Sequence, residues 1–326
     1  MLAKAAQRRK HHRISIFKVF YLLLILFIAL LSNLLFFSSN YQAILIFNYI
    51  DYHSTITDVN SITTNHSIST PFPIDIVYTW VDGSDRKWLK SYNLFFPEKE
   101  YFPRMEFRKR FIDIEELRFS LRSIEKYAPW YNQIYIVVHE HQRPLWINLQ
   151  HQKLHFISHS QIFPDNRSLP TFNSNAIEFT LHNIPGLSEH FIYFNDDVLL
   201  CKPTTYEDFF TSDGKPKILV QSRKWTNLKY EYGQNSRQYI FGYDSSYLYS
   251  AVSINTVRHF HKKFGQKFGY TNAHSTFSLT KSMFHGLYQN FFDQINLTLF
   301  HRYRDVTDIH MQTIMIQYGC LNQTIV

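Results

Sequence analysis

No stretch narrows the choice of fold more than Phe191-Ile-Tyr-Phe-Asn-Asp-Asp-Val198. Its first four residues, mostly aromatic or β-branched, read as a short buried strand. The strand runs straight into Asn195-Asp196-Asp197. Two adjacent carboxylates at the end of an apolar strand are costly to bury unless something positive neutralises them. Ligands of open α/β sheets sit just beyond the carboxyl ends of strands. Hard divalent cations take oxygen ligands and keep company with phosphates, so Mg²⁺ or Mn²⁺ with a diphosphate is the natural neutraliser. The same three residues equally suit a turn. On this stretch alone both readings stay open.

Other strands of the same kind precede it. Ile74-Asp-Ile-Val-Tyr-Thr-Trp-Val81 is rich in β-branched and aromatic residues and ends in the turn-prone Asp82-Gly-Ser-Asp85. Gln133–Val138 and Leu154–Ile157 follow. Between them, Ile114, Leu117, Leu121 and Ile124 recur at helical spacing in a segment that stops before Pro129. Arg118 and Arg122 lie four apart there, on one face. They could address phosphate oxygens or pair with Glu115 and Glu125 on a solvated surface. A second helix is expected from about Asn175 to Asn183, capped by Ser174 or Asn175, with an N-terminus able to hold an anion. Residues 253–264 and 279–299 read as helical. Strands alternating with helices in this way argue for an α/β sandwich with a mostly parallel sheet and a helical C-terminal part.

The N-terminus has a different character. Lys4, Arg8, Arg9, Lys10 and Arg13 precede an apolar run from Ile14 to Phe37, long enough to span a bilayer. Basic residues upstream put residues 1–13 in the cytosol and the bulk of the chain across the membrane, as in a single-pass type II signal anchor at 14–37. Sequons at Asn65, Asn166, Asn296 and Asn322 suit the lumen of the Golgi or secretory pathway. Residues 38–72 carry no sustained period and read as a stem, leaving 73–326 as the catalytic domain. Much of the net charge of +8 therefore belongs to a membrane signal. No zinc-finger spacing or basic reading helix appears, so nucleic acid is not an expected partner. Two cysteines, Cys201 and Cys320, are too few for a disulfide framework, and their spacing does not decide whether they pair. Nor does any pattern decide oligomeric state, a homodimer included.

Four blocks in order, Ile74–Asp85, Glu116–Trp130, Leu169–Glu178 and Phe191–Asp197, resemble those of the Stealth family. That family contains bacterial capsular polysaccharide phosphotransferases and the catalytic subunit of the animal N-acetylglucosamine-1-phosphotransferase. The resemblance covers about Ile74 to Gly319. Towards the C-terminus, Phe260–His274 is similar to a third family region and brings His274 onto a family histidine. Thr276 and Phe277 stand where relatives commonly carry a proline and a second histidine. Phe300–Asp308 aligns Arg304 and Asp308 with an arginine and an acidic residue of the last block. The insert from Thr211 to about Gly242 matches nothing useful.

What the resemblance implies is a glycosyltransferase-A-like core that moves a hexose 1-phosphate from a UDP-sugar to a hydroxyl of a glycan or polysaccharide. On it, base and ribose lie near Tyr78, Trp80, Asp82, Gly83 and Asp85, with support from Arg118 and Asn175. Asp196 and Asp197 hold the metal with help from Asp308, while His274 and Arg304 join Asp197 in catalysis. Two alternatives differ in kind. A glycosyltransferase of the same fold attacks the anomeric carbon and releases UDP; a glycan-binding protein releases nothing.

Overall fold

The computed structural model describes residues 70–95, 111–223 and 245–326. The expected cytosolic tail, the membrane segment 14–37, nearly all of the stem, Asn65 and most of the 211–242 insert lie outside them. Among the described residues no helix is long and apolar enough to cross a membrane.

The sheet has five strands in the order β3-β2-β1-β4-β7. Strands β1 (Ile74–Trp80), β2 (Ile134–Val138), β3 (Leu154–Ser158) and β4 (His190–Asn195) run parallel, and β7 (Phe277–Thr280) closes one edge antiparallel to β4. Helices cover both faces, which is why β1 and β2 read as largely apolar stretches rather than alternating ones. Period-two alternation then sorts their side chains into two cores. Ile74, Ile76, Tyr78, Ile136, Ile192 and Phe194 meet Leu117 and Ile124 of helix α2 (Glu116–Tyr127). Val77, Val137, Phe191 and Tyr193 meet the opposite layer. It is built from α4 (Ser174–Thr180), α6 (Lys281–Phe300) and α7 (Met311–Asn322).

This alternation corrects the reading of Tyr78. Its side chain is fully buried in the α2-side core, and its hydroxyl is 2.7 Å from Ser120 Oγ. It packs the sheet and does not reach a donor nucleotide. The expected helix at 253–264 is the end of a longer one, α5 (Ser245–Phe264). Leu279 and Thr280, expected at the start of a helix, belong instead to strand β7, and no strand was expected for the two-stranded ribbon of β5 (Val220–Ser222) and β6 (Tyr270–Asn272); each has at most four residues.

From β1 the chain adds β2 and β3 on one side and later returns to place β4 on the other, so the strand order reverses between β1 and β4. Their carboxyl ends form the crevice that open α/β sheets use for ligands. Helix α2 fixes what lies there. Ser120 Oγ donates to Val198 O, and Leu200 N–H donates to Ser123 Oγ at 2.9 Å. The backbone of Val198 also closes back on Asn195 O at 3.1 Å. The Asn195-Asp196-Asp197 segment is thus a turn, and a turn held in place from two sides.

The loop after β1 is structural. Asp85 Oδ1 accepts from Trp88 N–H at 2.7 Å and caps helix α1 (Arg86–Phe95). Asp82 Oδ1 accepts from the backbone and hydroxyl of Ser84. Gly83 N–H donates to Phe111 O at 2.7 Å, an approach so close that an added Cβ would lie 2.4 Å from that oxygen. Gly83→Ala must push the Phe111 strand of chain away and is expected to lower stability by about 1–3 kcal/mol, as overpacking does. Chemical denaturation checks this, with Ser84→Ala, an exposed position, as the near-neutral control.

Candidate active site

A cavity of about 590 Å³ opens over the carboxyl ends of β1 and β4, a size suited to a small-molecule ligand. Its sheet-side wall is Thr79, Trp80, Tyr193, Asn195, Asp196 and Asp197. A hydroxyl chain fixes this floor: Thr79 Oγ1 lies 2.9 Å from the Tyr193 hydroxyl, which donates to Asn195 Oδ1 at 2.8 Å. Such satisfied buried networks hold a single geometry.

The two carboxylates differ sharply. Burial, reinforced by the charges of Asp197, Glu116 and Asp113, pushes Asp196 up from 3.8 to about 7. Asp197 is held below its ordinary value, chiefly by a hydrogen bond from His274. His274 Nε2–H donates to Asp197 Oδ2 at 2.9 Å, and the same bond raises the histidine above 6.5. Pairing of β7 with β4 makes this contact, because His274 lies three residues before β7 begins.

Arg304 enters from the C-terminal loop and donates through Nη2 to Ser174 Oγ at the start of α4. That loop is stapled to the segment before α4: Phe172 N–H donates to Arg302 O at 2.7 Å, and Asn173 Nδ2 donates to His301 O and to Asp308 Oδ2. Asp308 is the buckle. Fully buried, it accepts from His301 Nδ1 at 2.6 Å, from Asn173 at 2.8 Å and from the Asp305 backbone at 3.0 Å. It does not line the cavity. The expectation of Asp308 as a metal ligand is therefore corrected: both its oxygens are committed to fixing the loop that carries Arg304.

Other expected contacts also fall elsewhere. Arg118 pairs with Glu115 at 2.8 Å on an exposed face, the solvated alternative, and is not in the cavity wall. Asp82, Gly83 and Asp85 do the structural work described above. Asn175 is buried one position inside α4, whose cap is Asn173: Asn173 Oδ1 accepts from Asn175 N–H at 3.1 Å. It is Ser174 that reaches the cavity. Trp80, Asp196, Asp197, His274 and Arg304 do line one cavity.

Glu178 had no sequence expectation as a site residue. Ser174, Ile177 and Glu178 line the cavity at spacings of three and four, the same face of α4 that positions Ser174, so helical periodicity was the available signal. Glu178 is 5% exposed, and its Oε2 has no hydrogen-bond partner among the described residues. Burial pushes it up to about 7 against the pull of the Arg304 charge.

The donor set at the Asp196–Asp197 corner suits a hard divalent cation. Asp196 and Asp197 offer carboxylate oxygens, and burial disfavours the charge of Asp196, a penalty that a bound cation would remove. Among the described residues no group of three or more His, Cys, Asp or Glu is arranged to hold a metal ion. A cation held there would draw two carboxylates from the protein and the rest of its shell from other oxygens, as is usual for Mg²⁺. Cys201 and Cys320 are both free.

An open, largely parallel α/β sheet with an acidic ligand cavity at its switch point defines the class of protein. Within it the relatives are specific. Residues 72–95 match Stealth protein conserved region 1, and residues 110–218 match conserved region 2. The chain is 34% identical over 262 residues to a capsular polysaccharide phosphotransferase of Haemophilus influenzae, covering 77% of this chain and 66% of that protein. With one of Neisseria meningitidis it shares 32% over 253 residues, 76% of this chain and 64% of the relative. An exopolysaccharide phosphotransferase of Streptomyces coelicolor is 50% identical over 143 residues, 44% of this chain but 23% of the relative. The chain belongs to the Stealth family. Its matched part spans from under a quarter to about two thirds of the length of these relatives. Among solved structures, mouse xyloside xylosyltransferase 1 aligns over 78% of this chain and 83% of its own, at 10% identity and a TM-score of 0.31.

The Asp196 environment has a measurable consequence. A carboxyl whose folded pKa is raised costs the fold stability as pH climbs from 3.8 towards about 7. Asp196→Asn is therefore expected to be more stable than the parent at pH 8, by about 2 kcal/mol after allowance for solvent screening, and equal to it near pH 3. Scanning calorimetry at both pH values reads this. Mg²⁺ is expected to raise the parent's midpoint at pH 8 and leave the variant's unchanged; a parent indifferent to Mg²⁺ and Mn²⁺ removes Asp196 from any cation site.

Proposed function

We propose that this protein is a phosphotransferase that moves a hexose 1-phosphate, such as N-acetylglucosamine 1-phosphate, from a UDP-sugar to a glycan hydroxyl, forming a phosphodiester and releasing UMP. The observation that carries the reading is the meeting of Asp197, His274 and Arg304 in one cavity at the switch point. The names of its relatives as polysaccharide phosphotransferases support the same class.

The protein's own groups divide the work. Because His274 donates through Nε2 to Asp197, its tautomer leaves Nδ1 as the basic nitrogen, and the carboxylate stabilises the imidazolium that forms when Nδ1 takes the acceptor's proton. The acceptor oxygen bonds to the phosphorus nearest the sugar, and the bond from that phosphorus to the bridging oxygen breaks, so UMP departs. Arg304 is held by Ser174 where its guanidinium can meet charge on the equatorial oxygens, the place where phosphoryl-type transfer gains most. A divalent ion at Asp196 and Asp197 supplies neutralisation of the diphosphate. Glu178 lines the same cavity, its carboxyl raised by burial and only partly drawn back down by the Arg304 charge. Tethered through residues 14–37, the domain would act in the lumen of the secretory pathway.

Incubating the purified full chain with UDP-hexoses, divalent metal and glycan acceptors identifies the nucleotide product. UMP is expected; UDP assigns glycosyl transfer instead, and the absence of either removes the enzyme reading. His274→Ala is expected to slow turnover by roughly 10²–10⁴-fold with donor affinity retained. Arg304→Ala should raise the barrier by about 2–4 kcal/mol. Near-normal turnover by His274→Ala would take that residue out of the mechanism.

A further inference from the structure

The outer face of α6 exposes apolar surface that nothing in the fold uses. Past the non-helical residue Phe291, the helix turns Phe292, Asn296, Leu297 and Phe300 outwards. Phe292 is 59% exposed, Leu297 47% and Phe300 39%. Residues four apart share a helix face, so Phe292, Asn296 and Phe300 stand in one row with the amide at its centre. None of the four lines the cavity. Scattered exposed apolar side chains are ordinary, but neighbouring ones that form a strip mark a surface that meets something.

The centre of the strip is also an acceptor for N-linked glycosylation, Asn296-Leu-Thr298. Thr298 serves the fold whatever happens to Asn296. It is fully buried, its Oγ1 donating to Gln294 O at 2.9 Å and accepting from Ile309 N–H at 3.1 Å. The hydroxyl therefore argues neither way, except that a glycan must be attached before α6 docks on the Ile309 segment. The setting of Asn296 is what carries weight. Asn is a poor residue for a helix interior, because its side chain competes for backbone hydrogen bonds. Here it stands exposed between two exposed aromatic rings.

We infer that Asn296 carries an N-linked glycan whose first sugar packs over Phe292 and Phe300 and covers this strip. The inference rests on the lumenal placement given above and not on the transfer chemistry. A rise of 1.5 Å per residue puts Asn296 about 6 Å along the axis from each ring, within reach of one pyranose. Helical side chains lean towards the N-terminus, which aims the amide nitrogen over the turn of Phe292. The sugar that joins the amide has a face of C–H groups, which an aromatic ring accommodates, while its hydroxyls stay in water. A bulky, solvated group at this point would give an apolar strip a wet outer surface. Two other acceptor triplets serve as references. Asn166 lies four residues past the short helix α3 (His159–Ile162), and Asn322 ends α7; both are exposed.

The test is expression of the full chain in a eukaryotic secretory host, with mass spectrometry of each acceptor peptide before and after treatment with peptide N-glycosidase. Asn296 is expected to be modified. An unmodified Asn296 beside a modified Asn166 or Asn322 overturns the inference and leaves the lumenal placement standing. Failure of every triplet removes both. The covering role has its own readout. Asn296→Gln is expected to raise the self-associated fraction in size-exclusion chromatography by roughly threefold or more, and Phe292→Ser added to it to reverse the rise. An Asn296→Gln chain as monomeric as the parent overturns the cover. A parent that is dimeric with Asn296 bare assigns the strip to a second copy instead. Neither result bears on which nucleotide the turnover assay releases.

Discussion

The hydrogen bond from His274 to Asp197 joins parts of the chain 77 residues apart, and the site exists only where that bond can form. Each end of it is anchored independently. Asp197 follows β4 in a turn that α2 grips through Ser120 and Ser123. His274 is delivered by β7, which lies against β4 in a four-residue antiparallel register. Parallel pairing of β1 with β4 sets the position of the crevice, and the antiparallel edge strand sets what stands over it. Arg304 is fixed by a third route, through the Asp308 clamp onto Asn173 and His301.

This arrangement concentrates electrostatic cost in one place. Asp196 and Glu178 both sit well above the ordinary carboxylate range because the cavity withholds water from them. Among the described residues, Glu178, Arg304, His139 and His159 line the cavity and each carry a buried side-chain atom with no hydrogen-bond partner. A core built for stability would satisfy or remove such groups. Asp75, fully buried at the start of β1, is satisfied and accepts from Asn132, Gln133 and Ser188, whereas His182 Nδ1, Ser253 Oγ and Arg302 Nε, outside the cavity wall, also have no partner among the described residues.

Much of this was legible in the sequence, and the failures have physical causes. Four of the five sheet strands announced themselves because they are short stretches dominated by β-branched and aromatic residues. The fifth, Phe277-Ser-Leu-Thr280, is short and half polar, and its tertiary partner rather than its composition makes it a strand. The acidic pair was found because its chemistry conflicts with its setting. Tyr78 was misplaced by ignoring strand parity, which assigns it to the opposite face from Tyr193. Asp308 was misread because a carboxylate that buckles a loop and one that binds a metal look alike in one dimension. Glu178 was passed over although its helical spacing from Ser174 pointed at the same space. His139 and His159 belong to separate strand ends, and nothing local says that β2 and β3 bring them together.

The order in which the site's parts occur along the chain also governs when it comes into being. A ribosome makes β1 to β4, with Asp196 and Asp197, before it makes the residues that stand over them. At typical synthesis rates of roughly 5–20 residues per second, the stretch through Arg304 follows on the order of ten seconds later. Until then the nascent sheet carries an exposed edge at β4 and an uncompensated acidic turn. Pairing of β7 caps that edge and sets His274 over the acidic turn in one event, with Arg304 following by its own route.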